Sequence, residues 1–283
     1  MGVTINDYAG QKPEWCPGCG NFNILAALKR ALVELNIPPH KLLIVSGNGQ
    51  AGKLPSYLKC NSFNSAGGRA VPIASGAKIA NNDLTVIAVS GDGDYYGRGG
   101  NHWLNAIRRN HNITCMVHNN QLYALTGTVP SPTFHPAASA GSPAEYPAPA
   151  LNPLALAIAS DVSFAARGFS GDVEHLASLM KSAISHRGTS LLDILQPCVT
   201  FDKVHTSEWY SKRVYKLEGN YGPEDKAAAL VKAQEWGERI PLGIIYLSKR
   251  PAYEDSLTVP STTPAPKRPA ATARIDKLIE EYM

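Results

Sequence analysis

Two apolar, β-branched runs one helix apart, Leu84-Thr-Val-Ile-Ala-Val89 and Ile113-Thr-Cys-Met-Val117, constrain this chain more than anything else in it. Each reads as a buried parallel strand, because a strand covered on both faces has no polar alternation. The first breaks at Gly91-Asp92-Gly93-Asp94, where bare backbone lets a ligand approach and a carboxylate can face a cation. After Gly99-Gly100, Asn101-His-Trp-Leu-Asn-Ala-Ile-Arg-Arg109 reads as a helix whose positive N-terminus can receive a phosphate. The second strand ends at Asn119-Asn120. Adjacent parallel strands would carry Asp92 and Asn120 to the same carboxyl edge, where α/β sheets bind ligands. Hard oxygen donors beside a helix N-terminus describe a diphosphate held through Mg²⁺.

The rest of the 283 residues alternates in the same way. Asn21–Leu35 and Asp172–Ile184 are amphipathic helices, the latter with Asp172 at its positive end. Leu42–Val45 and Ser190–Leu195 read as strands, and Ile244–Leu247 as an edge or extension. Repeated βα units predict an α/β fold, a mainly parallel, doubly wound sheet over residues 1–257. Residues 127–150, with six prolines, read as a long loop of functional length directly after the asparagines. A Pro/Ala/Thr-rich linker from 258 then leads to a short charged helix, Arg274–Tyr282, within 258–283. The net charge of +4 is too diffuse to indicate nucleic acid. No apolar run approaches the ~18 residues of a membrane span, and the start shows neither a signal peptide nor a myristoylation pattern. A cytoplasmic location is expected.

Five cysteines occur, at 16, 19, 60, 115 and 198. Without a secretion signal, metal or redox roles outrank disulfides. Cys16-Pro-Gly-Cys19 is a tight knuckle that suits zinc, an iron–sulfur cluster or a dithiol switch. No second C-x-x-C closes a zinc ribbon. Cys115 lies inside an apolar strand and reads as core packing. Cys16, Cys19, Cys60 and Cys198 remain, and four thiolates suit a 4Fe–4S cluster. Gly47-Asn-Gly49-Gln-Ala-Gly52 matches the dinucleotide fingerprint after a strand, but Pro55 follows at once and no Asp or Glu occurs from 47 to 82, so nicotinamide binding is rejected. Lys53 in this loop can bind a substrate carboxylate.

Taken together, Trp15-Cys-Pro-Gly-Cys-Gly20, Gly49-Gln-Ala-Gly-Lys-Leu-Pro55, Gly68-Arg-Ala-Val-Pro72, Gly91-Asp-Gly-Asp94, Gly99-Gly-Asn-His102, His118-Asn-Asn-Gln121 and Leu195-Gln-Pro-Cys198-Val-Thr200 resemble the β subunit of 2-oxoacid:ferredoxin oxidoreductases. The Gly-Asp-Gly and Asn-Asn pair alone looks like the thiamine-diphosphate motif. The resemblance implies thiamine diphosphate, Mg²⁺, one 4Fe–4S cluster, coenzyme A as acyl acceptor and ferredoxin as electron acceptor. It implies that Asp92, Asn120 and the Leu122 carbonyl ligate Mg²⁺, while Gly91, Gly93, Asp94 and Asn101 line the diphosphate. Cys16, Cys19 and Cys198 fall on cluster ligands. Many relatives place the remaining thiolate where this chain has Gln50, so the fourth ligand is assigned to Cys60, as in relatives that share the Gln. Lys53 matches a basic position used near the oxoacid.

Two departures imply a changed pocket. Ala66-Gly67 stands where relatives have Leu-His, and Tyr95-Tyr96 and Arg98 replace smaller and apolar or acidic residues. The implied reaction is oxidative decarboxylation of a 2-oxoacid, with 2-oxoglutarate ahead of pyruvate and aryl oxoacids. Only one thiamine-type domain fits, so a separate α (or α/γ) subunit is expected to complete the cofactor site. A non-redox thiamine decarboxylase or synthase subunit, and a zinc-stabilised scaffold, are the rival readings.

Overall fold

The computed structural model describes residues 2–126, 129–135, 148–217, 219, 221–257 and 280; the linker and nearly all of the C-terminal helix expected beyond 257 lie outside them. The strands in chain order are β1 (Leu42–Ser46), β2 (Asn61–Asn64), β3 (Thr85–Gly91), β4 (Thr114–Asn119), β5 (Leu122–Tyr123), β6 (Val129–Pro130), β7 (Phe164–Phe169), β8 (Ser190–Leu195), β9 (Val214–Lys216) and β10 (Ile240–Leu247). Eight of them form one sheet in the order β2-β1-β3-β4-β8-β7-β10-β9. Pairing is parallel from β2 through β7, and β10 joins β7 antiparallel with β9 beside it. The expected extension at 244–247 is thus a longer inner strand, with β9 as the edge. β5 and β6 form a separate two-stranded ribbon that enters the stretch expected to be loop.

The helices are α1 (Asn21–Glu34), α2 (Ala70–Ala80), α3 (Gly100–Arg109), α4 (Pro153–Ala159), α5 (Val173–Ser185), α6 (Ser207–Ser211) and α7 (Lys226–Gln234). They cover both faces of the sheet. Ile44, Ile87, Met116 and Leu192 pack with Ile24, Leu28 and Leu32 of α1 and Leu176 and Met180 of α5. Val45, Val86, Ala88, Cys115 and Leu191 turn to the other face, against α2, α3, α4 and α7. Successive strand residues point to opposite sides, so with both sides buried the strands must be apolar throughout. Cys115 is 2% exposed there, as core packing requires. The chain turns from β1 outward to β2 and then back to β3 on the other side of β1. That reversal opens a crevice at the carboxyl ends of β1 and β3, the usual ligand position in such sheets.

Candidate functional site

Register brings the expected residues to that edge. Gly91 at the end of β3 lies opposite His118 of β4, so Asp92 and Asn120 leave neighbouring strands together. A pocket of about 350 Å³ opens there, lined by Gly91, Asp92, Gly93, Asp94, Asn120 and Leu122 among others. Asp92 is 1% exposed. Its Oδ2 accepts hydrogen bonds from Ser131 Oγ and, at 2.6 Å, from Thr133 Oγ1, whereas Oδ1 is buried without a partner. Burial pushes its carboxyl up to about 6 against the help of those two hydroxyls. An anionic oxygen left bare in a dry site is what a cation ligand looks like before the cation arrives. Asn119 is the structural member of the asparagine pair: its amide donates to Asp193 and its oxygen accepts from Gln121 N at 3.3 Å, with the Thr133 hydroxyl oxygen 2.9 Å away. Asn120 Oδ1 accepts from Leu122 N at 3.0 Å. Gln121 between them turns the chain with a left-handed φ of 63°, strain of about 1–2 kcal/mol, and its buried amide is held by Tyr210 Oη and His135 N.

Several expected roles change place. Asp94 lines the pocket, but both its oxygens serve the chain, accepting from Gly68 N, Ser90 Oγ and Asn48 N, so it ties three loops together. The helical path begins not at Asn101 but at Gly93, in a wide turn over Gly93–Arg98 closed by Gly99 N to Asp94 O. Asn101 is accordingly exposed, receives a hydrogen bond from Asn105 and does not line the pocket. Gly93 lines the pocket and is also required for packing, since a Cβ there would meet the Tyr123 ring at 2.3 Å. Lys53 is exposed on the helical stretch 51–57 and lines neither this pocket nor its neighbour. The cation that does line it is Arg98, whose Nη1 lies 3.0 Å from the position a Cβ at Gly67 would take. The glycine at 67 and the arginine at 98 therefore share one volume.

The cysteines divide. Cys16, Cys19 and Cys198 line a second, adjoining pocket with Gln50, Asn120 and Gln196. Cys19 accepts a hydrogen bond from Gln196 Nε2 at 3.4 Å. Burial, with Cys198 and Cys16 nearby, raises its thiol. Cys60, expected with them, lines neither pocket. Asn61 pairs with Leu43, so Cys60 sits level with the start of β1, at the amino edge. The length of β1, roughly 13 Å at ~3.3 Å per residue, separates it from the pocket. Its thiol lies near Tyr8, and burial pushes it up to about 11. Among the described residues no three Cys, His, Asp or Glu gather as ligands of a single ion. A four-iron cluster spreads its thiolates around a cubane, so cysteines that serve one need not meet at a single ion.

Four contributors escaped the sequence. Ser131 and Thr133 lie in the expected loop and showed no signal beyond their neighbouring prolines. Asn21 Oδ1 accepts from His118 Nδ1 at 2.8 Å, which leaves His118 Nε2 buried, unpartnered and unprotonated; burial pulls this imidazole down to about 3. Both residues line the main pocket. Asn21 was visible only as the start of an amphipathic helix, and His118 only as part of a longer motif.

Known proteins resemble this architecture. Residues 47–194 match the thiamine pyrophosphate enzyme C-terminal TPP-binding domain, and 198–261 match the C-terminal part of the pyruvate ferredoxin oxidoreductase beta subunit. The chain is 43% identical over 257 residues to 2-oxoacid:ferredoxin oxidoreductase 1 subunit beta of Aeropyrum pernix, covering 86% of this chain and 81% of that one. It is 40% identical to the 2-oxoacid:ferredoxin oxidoreductase subunit beta of a Sulfolobus species, across 97% and 98% of the two chains. The solved structure of 2-oxoglutarate:ferredoxin oxidoreductase from Magnetococcus marinus, with 2-oxoglutarate, coenzyme A and succinyl-CoA bound, superposes with a TM-score of 0.85 at 29% identity, over 99% of this chain and 91% of that one. A thiamine-type pocket at the β3/β4 edge, beside a cysteine pocket, carries the motifs on which these likenesses rest, and the chain belongs to the β subunits of the 2-oxoacid:ferredoxin oxidoreductases.

Proposed function

We propose that the chain anchors thiamine diphosphate through Mg²⁺ in a coenzyme A-dependent enzyme that decarboxylates a 2-oxoacid oxidatively and passes electrons by way of an iron–sulfur centre to ferredoxin. One observation carries this reading: a fully buried carboxylate, Asp92, with one oxygen satisfied and the other bare at the mouth of a Gly-lined pocket. Asp92, Asn120 and the Leu122 carbonyl are the residues that would hold the ion. Bound there, thiamine diphosphate supplies an electron sink for loss of CO₂. The protein's own part is to keep the site dry, to fix Asp92 through Ser131 and Thr133, and to present His118 Nε2 as an acceptor.

2-Oxoglutarate is the favoured substrate. Relatives named 2-oxoglutarate oxidoreductase or synthase subunit KorB match at 33–37% identity, and the solved structure above holds that oxoacid. Arg98 supports an anionic substrate, since it lines the pocket with no ion-pair or hydrogen-bond partner among the described residues. Lys53, out of this pocket, keeps a substrate role only if a partner surface brings the oxoacid to it. An α (or α/γ) subunit is that partner: Leu125, Val199 and Phe201 line the cysteine pocket yet stand 63%, 38% and 45% exposed, an apolar rim suited to cover. Among the described residues no helix is long and apolar enough to cross a membrane. A cytoplasmic location completes the proposal, because a reducing compartment keeps cluster-binding thiols free of disulfides.

The test is to co-express the chain with its genomic neighbour anaerobically and follow viologen reduction. Reduction that needs both 2-oxoglutarate and coenzyme A is the expected result. Decarboxylation without reduction, by a colourless complex free of iron, would move the protein to the non-redox thiamine enzymes.

A further inference from the structure

We propose that Gln50, and not Cys60, closes the iron–sulfur site, so that three thiolates and one amide oxygen hold the cluster. The inference rests on the iron–sulfur reading above and concerns which residue of this chain completes it. Gln50 lines the pocket formed by Cys16, Cys19 and Cys198. Its Oε1 is buried and has no hydrogen-bond partner, a costly state for an amide oxygen. Its backbone is tied to the cysteine knuckle, since Trp15 Nε1, next to Cys16, donates to Gln50 O at 2.9 Å. The other polar side chains of the pocket each have a hydrogen-bond partner or stand exposed. Asn21 Oδ1 faces His118, Asn120 Oδ1 accepts from Leu122 N, Gln196 Nε2 donates to Cys19 and to Pro197 O, and Thr200 is exposed. Cys60 would have to leave the amino edge and dissolve the β1–β2 pairing to arrive.

An amide oxygen differs from a thiolate in two ways that matter here. It is neutral, so the cluster carries one negative charge fewer than with four cysteines, and a less negative cluster is easier to reduce. It is also a hard, weak ligand for iron, so the iron it holds is the one released first. Gln50 lines the thiamine pocket as well, which places that iron on the side facing the cofactor site.

The experiment uses the anaerobically isolated complex and its Gln50→Cys, Gln50→Leu and Cys60→Ser variants. Iron, acid-labile sulfide and thiamine diphosphate are counted, and EPR spectra are recorded before and after one equivalent of ferricyanide. The native complex should hold about four irons and, on oxidation, fall to about three with the EPR signature of a three-iron cluster, recovering on addition of ferrous iron together with dithionite as one-electron reductant. Cys60→Ser should match it throughout. Gln50→Cys should retain its full iron under the same oxidation and show a lower reduction potential, while Gln50→Leu should be isolated with about three irons. Assembly with the partner subunit in native proportion and an unchanged far-UV circular dichroism spectrum show that each variant is folded. Loss of iron and sulfide in Cys60→Ser, or native behaviour in both Gln50 variants, would overturn the assignment. A native complex with no iron or sulfide would instead remove the iron–sulfur reading itself.

Discussion

Around Asp92 buried hydrogen bonds already hold the carboxylate, whereas Cys16, Cys19 and Cys198 line their pocket without such a network. The two pockets adjoin and share Asn21, Gln50, Asn120 and Gln196, yet they are made differently. The first hangs from the ends of two neighbouring central strands, β3 and β4, and a buried network of Ser131, Thr133, Asn119 and Asp193 locks it. The second is assembled from the turn before α1 and the turn after β8, with a half-exposed apolar rim. A carboxylate buried in a rigid sheet edge can wait for its ion. On the proposed function, a set of thiols in loops would take its final geometry from the cluster and from the partner that covers it. What the contrast teaches is that one edge of a sheet can be both preorganised and adaptive, depending on whether strands or turns carry the ligands.

Breaking the preorganised half should cost most. Asp92→Ala should lower thiamine diphosphate retention in the assembled complex by more than about 100-fold, since losing a ligand exceeds the 10–100-fold cost of losing a partner of one. Normal retention by mass spectrometry would remove Asp92 from the metal. The paired change Ser131→Ala with Thr133→Val leaves the carboxylate but frees its Oδ2, and Mg²⁺ affinity by calorimetry should drop about 10–100-fold. Acid should act on the same atom. Because burial holds the Asp92 carboxyl up to about 6, the metal must displace a proton below that pH. Mg²⁺ affinity should be level above about 6 and fall roughly tenfold per unit beneath it. The sign for folding is opposite: without metal, the folded chain keeps a proton that the unfolded chain has released. Asp92 therefore subtracts stability as pH rises from the ordinary carboxyl range through about 6, a trend that denaturation of the metal-free chain should show and Asp92→Asn should flatten.

Arg98→Gln probes the open side of the pocket. We expect KM for 2-oxoglutarate to rise about tenfold, the weight of one charged hydrogen bond, with thiamine diphosphate content unchanged. A loss of cofactor instead would assign Arg98 to the diphosphate. The smallest effect on the site belongs to the fifth cysteine. Cys115→Ser puts a hydroxyl into the core beside that of Tyr95 and should cost about 1 kcal/mol in denaturant titrations while leaving iron content untouched. Any change in iron would mean that the core cysteine matters to the cluster after all.

Much of the frame was legible because its signals are local. Strands β3, β4, β8 and helices α1 and α5 announce themselves through apolar runs and amphipathic spacing within a dozen residues. Strand β7 did not, because Phe164-Ala-Ala-Arg-Gly-Phe169 lacks β-branched residues and puts an arginine in a central position. Arg167 is tolerated there because Asp193 lies opposite it in β8, its guanidinium donates to Ala233 O and the Trp236 ring covers it. None of those partners is near in sequence. The same reason hid Ser131 and Thr133, some 40 positions from the carboxylate they hold.

The order and chemistry of the motifs, read as residues, determined the fold class, the edge of the sheet that binds, and the pairing of a hard oxygen site with a soft sulfur one. Those follow from periodicity and ligand type, which are written along the chain. Only the folded chain decided which members of each motif meet. Parallel register put Asp92 beside Asn120 and left Cys60 a strand's length away, and side-chain volume let Arg98 occupy the room above Gly67. Such outcomes depend on distances between segments that share no local sequence, and a list of residue types carries no information about them.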